Sequence, residues 1–297
     1  MVQGKTMKVW ANIVLILLSA FAILPIILLL IGSFTDNATA MSEGFSYFPS
    51  RWSGEAYKYI IDAWQMIGKG YLNTILVTAI GTAVSLMVTS MFGYGLTVEG
   101  LPGRKLLTTL LVISMLFNGG IVAQYFVYTN FVRIKDSYLA LIMPNFIMSA
   151  FNVILVSNYF RNNISKEILE AARIDGASEF RVFWKILFPL SVPILATIGI
   201  MTGIGYWNDW TNGLYYLSPR KGGSYRTIQL ILNEINNQVN FLATQAASLG
   251  MTLDTSKIPS TTVRMAIAFV GILPILVAFP FFQKYFVKGI SVGGVKG

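Results

Sequence analysis

The polar residues best suited to chemistry lie in one short stretch near the middle of the chain. Residues 170–177 read Glu-Ala-Ala-Arg-Ile-Asp-Gly-Ala, which brings two carboxylates, a guanidinium and small alanines close together. A long apolar run ends just before this stretch, at Phe160, and another begins just after it, at Ile186. A short charged helix held between two membrane spans must contact something outside the bilayer. We therefore expect this stretch to bind whatever drives the protein.

The residue types exclude most covalent and metal chemistry. The sequence has no cysteine and no histidine, which removes disulfides, thiolate nucleophiles, Cys/His metal ligands and imidazole acids or bases. The nearest glycine-lysine pair, Gly68-Lys69, lacks the upstream glycine and the following Ser/Thr of a P-loop. We predict no catalytic residue, no metal site and no ATP bound by the chain itself, and therefore no enzyme.

The composition predicts an all-α membrane protein. Hydrophobic residues make up 55% of the 297 residues and charged residues only 12%, whereas soluble domains carry about 25% charged residues. The net charge of +9 could indicate nucleic acid. However, the basic residues lie between the apolar runs and do not form a single face. This distribution is typical of membrane orientation signals. We therefore predict a lipid bilayer, and no nucleic acid, as the surroundings of this chain.

Six apolar runs predict six transmembrane helices in one transmembrane domain covering 1–297. Lys5 and Lys8 precede the first span and place the N-terminus in the cytoplasm, and six spans bring the C-terminus to the same side. The first run is too long for the h-region of a cleavable signal peptide. The loop 161–185 is then cytoplasmic, and 208–264 is the longest external segment. The predicted spans are about 10–34, 71–98, 106–132, 137–160, 186–207 and 265–283.

Several positions inside these spans predict departures from a regular helix. Residues 118–120, Asn-Gly-Gly, are a weak point in the third span, either a structural kink or part of a pathway lining. Asn152 and other amides of the fourth span either join helices or line a route. Pro189 and Pro193 should bend the fifth span. Before the second span, Ser53 is expected to cap an amphipathic helix, either at the membrane interface or packed in a loop.

The chain contains no visible energy source of its own. No acidic or basic residue lies inside the six spans as drawn, although ion-coupled transporters and pumps usually need ionisable groups at membrane depth. The two halves also show no repeat of the kind found in secondary transporters. The sequence therefore favours a conduit that receives energy from another subunit.

The charged stretch is predicted to form two short helices joined by a tight turn. Ser165 or Asn163 can cap the first helix, and Gly176 suits the position just after its end, where a positive φ is needed. Ser178 can cap a second helix that continues into the fifth span. The small side chains of Ala171 and Ala172 would permit close docking of a partner.

These residues resemble a known family. Glu170-Ala171-Ala172, three residues, Gly176, nine residues and Ile-Leu-Phe-Pro at 186–189 resemble the EAA loop of bacterial ABC importer permeases, with Phe188 where leucine is usual. The longer string 170–177 is similar to the carbohydrate-uptake, MalG-like branch. Residues 118–120 are similar to the LplC/YtcP group, which is linked with oligosaccharides derived from polysaccharides. An alginate-oligosaccharide importer subunit is one candidate in that group.

The resemblance implies a type I ABC importer permease fold with a cytoplasmic coupling helix, in a bacterial inner membrane. It implies as partners a second homologous permease subunit in a heterodimer, two cytoplasmic ABC ATPase subunits that carry the ATP and Mg, and an extracytoplasmic solute-binding protein. The oligosaccharide would cross by alternating access. The coupling residues carried over from the motif are Glu170, Ala171, Ala172, Arg173, Asp175, Gly176 and Ala177.

Two further sets of residues are candidates for function. The C-terminal segment from Gly289 on, with Lys288 before it, is expected to contact the ATPases as an extended, flexible tail. The second set is expected to line a substrate pathway or its mouth. The alternative for these residues is interfacial anchoring and packing. A nucleotide-independent membrane channel or scaffold is the alternative function. The tail residues are Lys288, Gly289, Lys296 and Gly297, and the pathway residues are Asn118, Asn152, Trp207, Asn208, Asp209 and Trp210.

Overall fold

The computed structural model of the protein describes residues 5–248 and 261–292. Within these ranges the regular secondary structure is helical, apart from one isolated antiparallel bridge between Thr35 and Trp52. Residues 127–131 and 183–187 are π-helical, and residues 222–225 form a 3-10 turn. The α-helices are α1 (Lys5–Ser33), α2 (Asn37–Glu43), α3 (Glu55–Asp62), α4 (Trp64–Gly95), α5 (Arg104–Leu116), α6 (Gly120–Phe126), α7 (Leu139–Ile142), α8 (Ala150–Asn163), α9 (Lys166–Ile174), α10 (Glu179–Val182), α11 (Phe188–Leu190), α12 (Val192–Asn208), α13 (Thr211–Tyr216), α14 (Ile228–Ser248) and α15 (Thr261–Val292).

The chain divides into two compact units. One comprises Met1–Gly68 and Ile231–Val277, and the other comprises Lys69–Leu230 and Ala278–Gly297. The charged stretch 170–177 belongs to the second unit. In the described ranges, α1 from Met7 and α4 are each long and apolar enough to cross a membrane, and the bent pair Glu179–Leu190 with Val192–Asn208 would be a third span. The count of six spans stays a prediction.

In the first unit, α1 is joined at its end to the segment that carries α3. The Ser33 and Tyr57 hydroxyls lie 2.8 Å apart, and the Ser53 N–H donates to the Phe34 carbonyl over 2.7 Å. The residue at the cap position of α3 is Gly54, so the prediction of Ser53 was wrong by one residue. The Ser53 side chain instead accepts a hydrogen bond from the Glu55 N–H, over 3.2 Å, and so still serves the start of this helix.

In the second unit, the third predicted span breaks at the expected place. Helix α5 ends at Leu116, and α6 begins at Gly120, whose φ is +75°. The Asn118 side chain accepts a hydrogen bond from the Gly120 N–H over 2.9 Å. The prediction of a weak point at Asn-Gly-Gly is confirmed, because glycine adopts this left-handed backbone without steric cost.

The fourth predicted span is not one helix, and this prediction was wrong. Helix α7 ends at Ile142 and α8 begins at Ala150, with Asn145 at φ +68° between them. Pro144 lacks an N–H and disfavours helical geometry at the residue before it. We call residues 143–149 the fourth-segment break.

Side chains from three helices satisfy the backbone of the fourth-segment break. The Tyr206 hydroxyl donates to the Ile142 carbonyl over 2.8 Å, and the Asn212 amide donates to the Pro144 carbonyl over 3.2 Å. The Ser85 hydroxyl donates to the carbonyl of Phe146, also over 2.8 Å. Such bonds are required because non-helical backbone at membrane depth has no water to bind.

The fifth predicted span bends as its prolines predict. The axes of Glu179–Leu190 and Val192–Asn208 differ in direction by 79°. The bend lies at Ser191, which is buried and donates from its hydroxyl to the Leu187 carbonyl over 2.5 Å. The Ser191 N–H donates to the Phe188 carbonyl over 3.1 Å, so the hydroxyl satisfies the Leu187 carbonyl that this N–H would bind in a regular α-helix.

The small residues of α4 do allow neighbouring helices to approach. A Cβ atom on Gly81 would lie 2.6 Å from the Tyr206 ring of α12, and one on Gly93 would lie 3.0 Å from Val156 of α8. Small residues at membrane helix interfaces permit this close approach. Helix α4 therefore lies close to α12 at Gly81 and close to α8 at Gly93.

The sixth predicted span, 265–283, lies within the longer helix α15. The helix continues through Val292, so the prediction of an extended tail from Gly289 is wrong for residues 289–292. After Pro280 the chain has no further proline to end the helix. Lys296 and Gly297 lie outside the described residues.

Candidate functional site

The charged stretch forms the predicted pair of helices with a tight turn. Helix α9 has Ser165 at its cap position, although the Ser165 hydroxyl donates to the Glu167 carboxylate and does not cap the backbone. Helix α10 follows, and the Ser178 side chain accepts from the Arg181 N–H over 3.4 Å. We call residues 165–182 the central hairpin.

The turn of the central hairpin depends on glycine. The Ala177 N–H donates to the Ala172 carbonyl over 2.9 Å, and the Gly176 N–H donates to the Arg173 carbonyl over 3.0 Å. This pair of bonds is a Schellman motif, which requires a left-handed residue just past the helix. Gly176 supplies it with a φ of +80°, so the position predicted for this glycine is confirmed.

The inner face of the central hairpin packs onto a buried apolar cluster. Leu169, Ala172 and Ala177 are partly buried against it. Ala172 therefore packs in part against its own protein, and its docking role beside Ala171 stays a prediction. Helical geometry explains this, since residues 169 and 172 are three apart and share a face. The buried cluster comprises Tyr94, Val156, Phe160, Ile164, Val182, Phe183, Leu187, Leu195 and Ile198.

The outer face of the central hairpin is open and mixes charge with apolar surface. Glu170, Ala171, Asp175 and Gly176 are exposed on it. Two large apolar side chains of the hairpin are also largely accessible, with Ile174 86% exposed and Phe180 66% exposed. Exposed apolar surface rimmed by polar groups is typical of a protein-binding site.

Arg173 takes part in a polar cluster that sequence reasoning missed. Its Nε lies 2.7 Å from Oε1 of Glu179, across the turn. The Tyr94 hydroxyl of α4 donates to Oε2 of the same carboxylate, and Nη2 of Arg173 lies 3.4 Å from that hydroxyl. We call Tyr94, Arg173 and Glu179 the Tyr94 cluster. Nothing in the sequence indicates that residues this far apart meet.

A second, more exposed ion pair joins the central hairpin to the loop after α4. Lys166 Nζ lies 2.7 Å from Oε1 of Glu99, with side chains 66% and 77% exposed. The hydrogen bond from Lys166 lowers the pKa of Glu99, and the same bond raises the pKa of Lys166. Water and salt screen a pair this exposed, so it adds little stability.

The predicted pathway residues lie on separate elements. Trp207 at the end of α12 is only 8% exposed, and its ring lies 6.5 Å from that of Tyr71. Asn208 is exposed, and Asp209 accepts hydrogen bonds from the N–H groups of the two residues that begin α13, Thr211 and Asn212.

The other pathway candidates are no closer to forming one site. Trp210 is partly exposed, Asn118 is exposed at the break before α6, and Asn152 is half-buried in α8. No three acidic side chains among the described residues converge where a metal could bind. The central hairpin is therefore the better defined functional surface of this chain.

Comparison with known proteins identifies the class of the molecule. The model of the family described as "Binding-protein-dependent transport system inner membrane component" matches residues 1–292. The chain belongs to this family and is a permease subunit of an ABC importer. The prediction that it is not the ATP-hydrolysing enzyme is confirmed, because members of the family are membrane components and the ATPase is a separate subunit.

Individual relatives agree with this class. Protein LplC of Bacillus subtilis is 36% identical over 278 residues, which is 94% of this chain and 90% of that protein. The polygalacturonan/rhamnogalacturonan transport system permease protein YtcP of the same organism is 36% identical over 289 residues, covering 95% and 96% of the two chains.

A solved structure supports the fold. It is a crystal structure of a bacterial ABC transporter involved in the import of the acidic polysaccharide alginate, which matches with a TM-score of 0.76 at 27% identity and covers 96% of this chain and 99% of that one. The predicted type I permease fold and the resemblance to the LplC/YtcP group are confirmed.

Proposed function

We propose that this permease subunit translocates an oligosaccharide derived from an acidic polysaccharide, by ATP-driven alternating access. The substrate class is supported by two relatives, because YtcP is named for polygalacturonan and the solved importer for alginate. Basic residues of the predicted external segments suit an acidic sugar, since unlike charges attract over several ångströms. These basic residues are Arg51, Lys58, Arg220, Lys221 and Arg226.

The outer face of the central hairpin carries the proposal for energy coupling. We infer that Ile174 and Phe180 enter a cleft on a cytoplasmic ABC ATPase, while Glu170 and Asp175 bind polar groups at its edge. Closure of two such ATPases around ATP and Mg would then push the hairpin. A few side chains that become fully buried near the centre of an interface contribute most of its binding energy.

The proposal also covers the remaining parts of the assembly. The chain forms one transmembrane domain of six spans, with both termini in the cytoplasm, and pairs with a second homologous permease. An extracytoplasmic solute-binding protein delivers the sugar, which passes near Asn118, Asn152 and residues 207–210. Lys288, Gly289, Lys296 and Gly297 contact the ATPases, the first two from the end of α15.

Uptake by the complete importer tests the substrate class. We expect ATP-dependent uptake of labelled oligogalacturonate into proteoliposomes that contain the permease pair, the ATPases and the binding protein. A neutral malto-oligosaccharide of the same length is the matched control and should enter at background rate. Preference for the neutral sugar would contradict an acidic substrate, and equal uptake without ATP would favour the nucleotide-independent channel.

Binding of the ATPase tests the docking surface. We expect Ile174→Ser and Phe180→Ser each to weaken co-purification of the ATPase about tenfold, as the loss of an interface hot spot of roughly 1–2 kcal/mol would. Phe131→Ser is the matched control, because Phe131 is 74% exposed but belongs to the segment after α6. Unchanged ATPase binding in both hairpin variants would contradict this surface assignment.

A further inference from the structure

We propose that the Tyr94 cluster fastens the central hairpin to the end of α4, so that a displacement of α9 by the ATPase moves α4 with it. The inference rests on the proposed function, since it assumes that the ATPase pushes the hairpin. It assigns positioning roles to Tyr94 and Glu179, which lie outside the 170–177 motif.

The cluster joins three different elements at one point. Tyr94 lies in the last turn of α4, Arg173 in the last turn of α9 and Glu179 at the start of α10. The Tyr94 hydroxyl donates to the Glu179 carboxylate and lies within 3.4 Å of an Arg173 donor. Both the donor and the acceptor capacity of this hydroxyl are thus engaged, which phenylalanine could not reproduce.

The Tyr94 ring is anchored independently of its hydroxyl. Tyr94 is 6% exposed, and its ring centroid lies 5.8 Å from that of Phe183 inside the buried apolar cluster. The ring therefore packs in the same apolar cluster as Val182 of the hairpin, and its polar tip adds a directional link to Arg173 and Glu179. A change from Tyr94 to phenylalanine removes the polar link and keeps the packing.

Backbone and side-chain bonds both hold the turn of the central hairpin. The Schellman turn fixes α9 relative to α10, and the Arg173–Glu179 ion pair closes the same turn from the side-chain direction. The two side chains of this pair are 37% and 52% exposed, so water screens it in part, although less than it screens the Lys166–Glu99 pair. In addition, Arg161 Nη2 donates to the carbonyl of Leu96 over 2.6 Å, which ties α8 to the chain just after α4.

The exposed Lys166–Glu99 pair is a natural contrast to the Tyr94 cluster. It also bridges the hairpin and the chain after α4, but both of its side chains are mostly in water. Solvent-exposed ion pairs contribute little to stability. Removal of this pair should therefore leave coupling intact, and Glu99→Gln is the matched control.

The test compares Tyr94→Phe, Glu179→Gln and Glu99→Gln in the complete reconstituted importer. For Tyr94→Phe and Glu179→Gln we expect ATPase co-purification and thermal stability close to wild type, while sugar taken up per ATP hydrolysed falls about fivefold, the factor that roughly 1 kcal/mol of lost hydrogen bonding gives. For Glu99→Gln we expect the wild-type ratio of uptake to hydrolysis.

The possible outcomes distinguish failure of this inference from failure of the proposed function on which it rests. If Tyr94→Phe binds the ATPase and keeps the wild-type ratio of uptake to hydrolysis, the inference is wrong while the docking proposal stands. A lowered melting temperature with an unchanged ratio would assign the cluster a purely structural role and overturn the inference as well. If the wild-type chain does not bind the ATPase, the proposed function itself fails. If the Glu179→Gln variant does not accumulate, the result for Tyr94→Phe alone tests the inference.

Discussion

Gly176→Pro is expected to abolish ATP-driven uptake while the protein still enters the membrane. Gly176 has a φ of +80°, which proline cannot adopt because its ring holds φ near −65°. The Gly176 N–H, which donates to the Arg173 carbonyl over 3.0 Å, would also be lost. A proline at such an incompatible position costs more than about 1 kcal/mol. The cost falls on the turn that orients α9, so the docking face would no longer be presented.

Gly100→Pro is the matched control for this substitution. Gly100 has a φ of +81° and, like Gly176, no atom within 4 Å of an added Cβ, but it lies in the loop between α4 and α5. We expect Gly100→Pro to retain uptake and ATPase binding when equal amounts of protein are present in the membrane. Equal loss in both variants would mean that backbone strain in either loop is enough, and that the central hairpin has no special role.

Bulky substitutions at the two alanines of α9 are expected to abolish uptake for different reasons. Ala171 is exposed on the outer face, so Ala171→Trp should block the ATPase while leaving the fold unchanged. Ala172 packs against the buried cluster, so Ala172→Trp should displace α9 and destabilise the protein by about 1–3 kcal/mol. Both variants should fail to co-purify with the ATPase, and only Ala172→Trp should melt at a lower temperature.

The melting temperature distinguishes the outer face of α9, which carries Ala171, from its inner face, which carries Ala172. Ala171→Ser keeps the side chain small and should behave as wild type in both assays. A stable Ala172→Trp that has lost ATPase binding would place Ala172 on the docking surface together with Ala171. An Ala171→Trp variant that binds the ATPase normally would show that the outer face is not the one engaged.

The features predicted correctly from sequence are those that local backbone rules determine. The position of Gly176, the break at residues 118–120 and the bend near Pro189 and Pro193 depend on neighbouring residues only. The family motif at 170–177 is local in the same sense. These features do not require knowledge of which helices meet, and a single sequence is therefore enough.

The features not predicted from sequence depend on long-range packing, except for the fourth-segment break. Tyr94 and Glu179 are separated by 85 positions, and no residue pattern announces their contact. The break in the fourth segment did have a local signal, because a proline disfavours helix at the residue before it. Ala172 and Leu169 share a helix face because they are three residues apart, but the sequence does not show that this face lies against a buried cluster.

The fourth-segment break sets an order in which the chain can be completed during synthesis. The Ile142 and Pro144 carbonyls accept hydrogen bonds from Tyr206 and Asn212, which lie 64 and 68 positions further along the chain. A ribosome that adds roughly 5–20 residues per second reaches those partners about 3–14 s later. Until then these carbonyls depend on water or on the insertion machinery, because lipid offers them no donor. The region around Pro144 therefore cannot complete its hydrogen bonding until α12 and α13 have been synthesised.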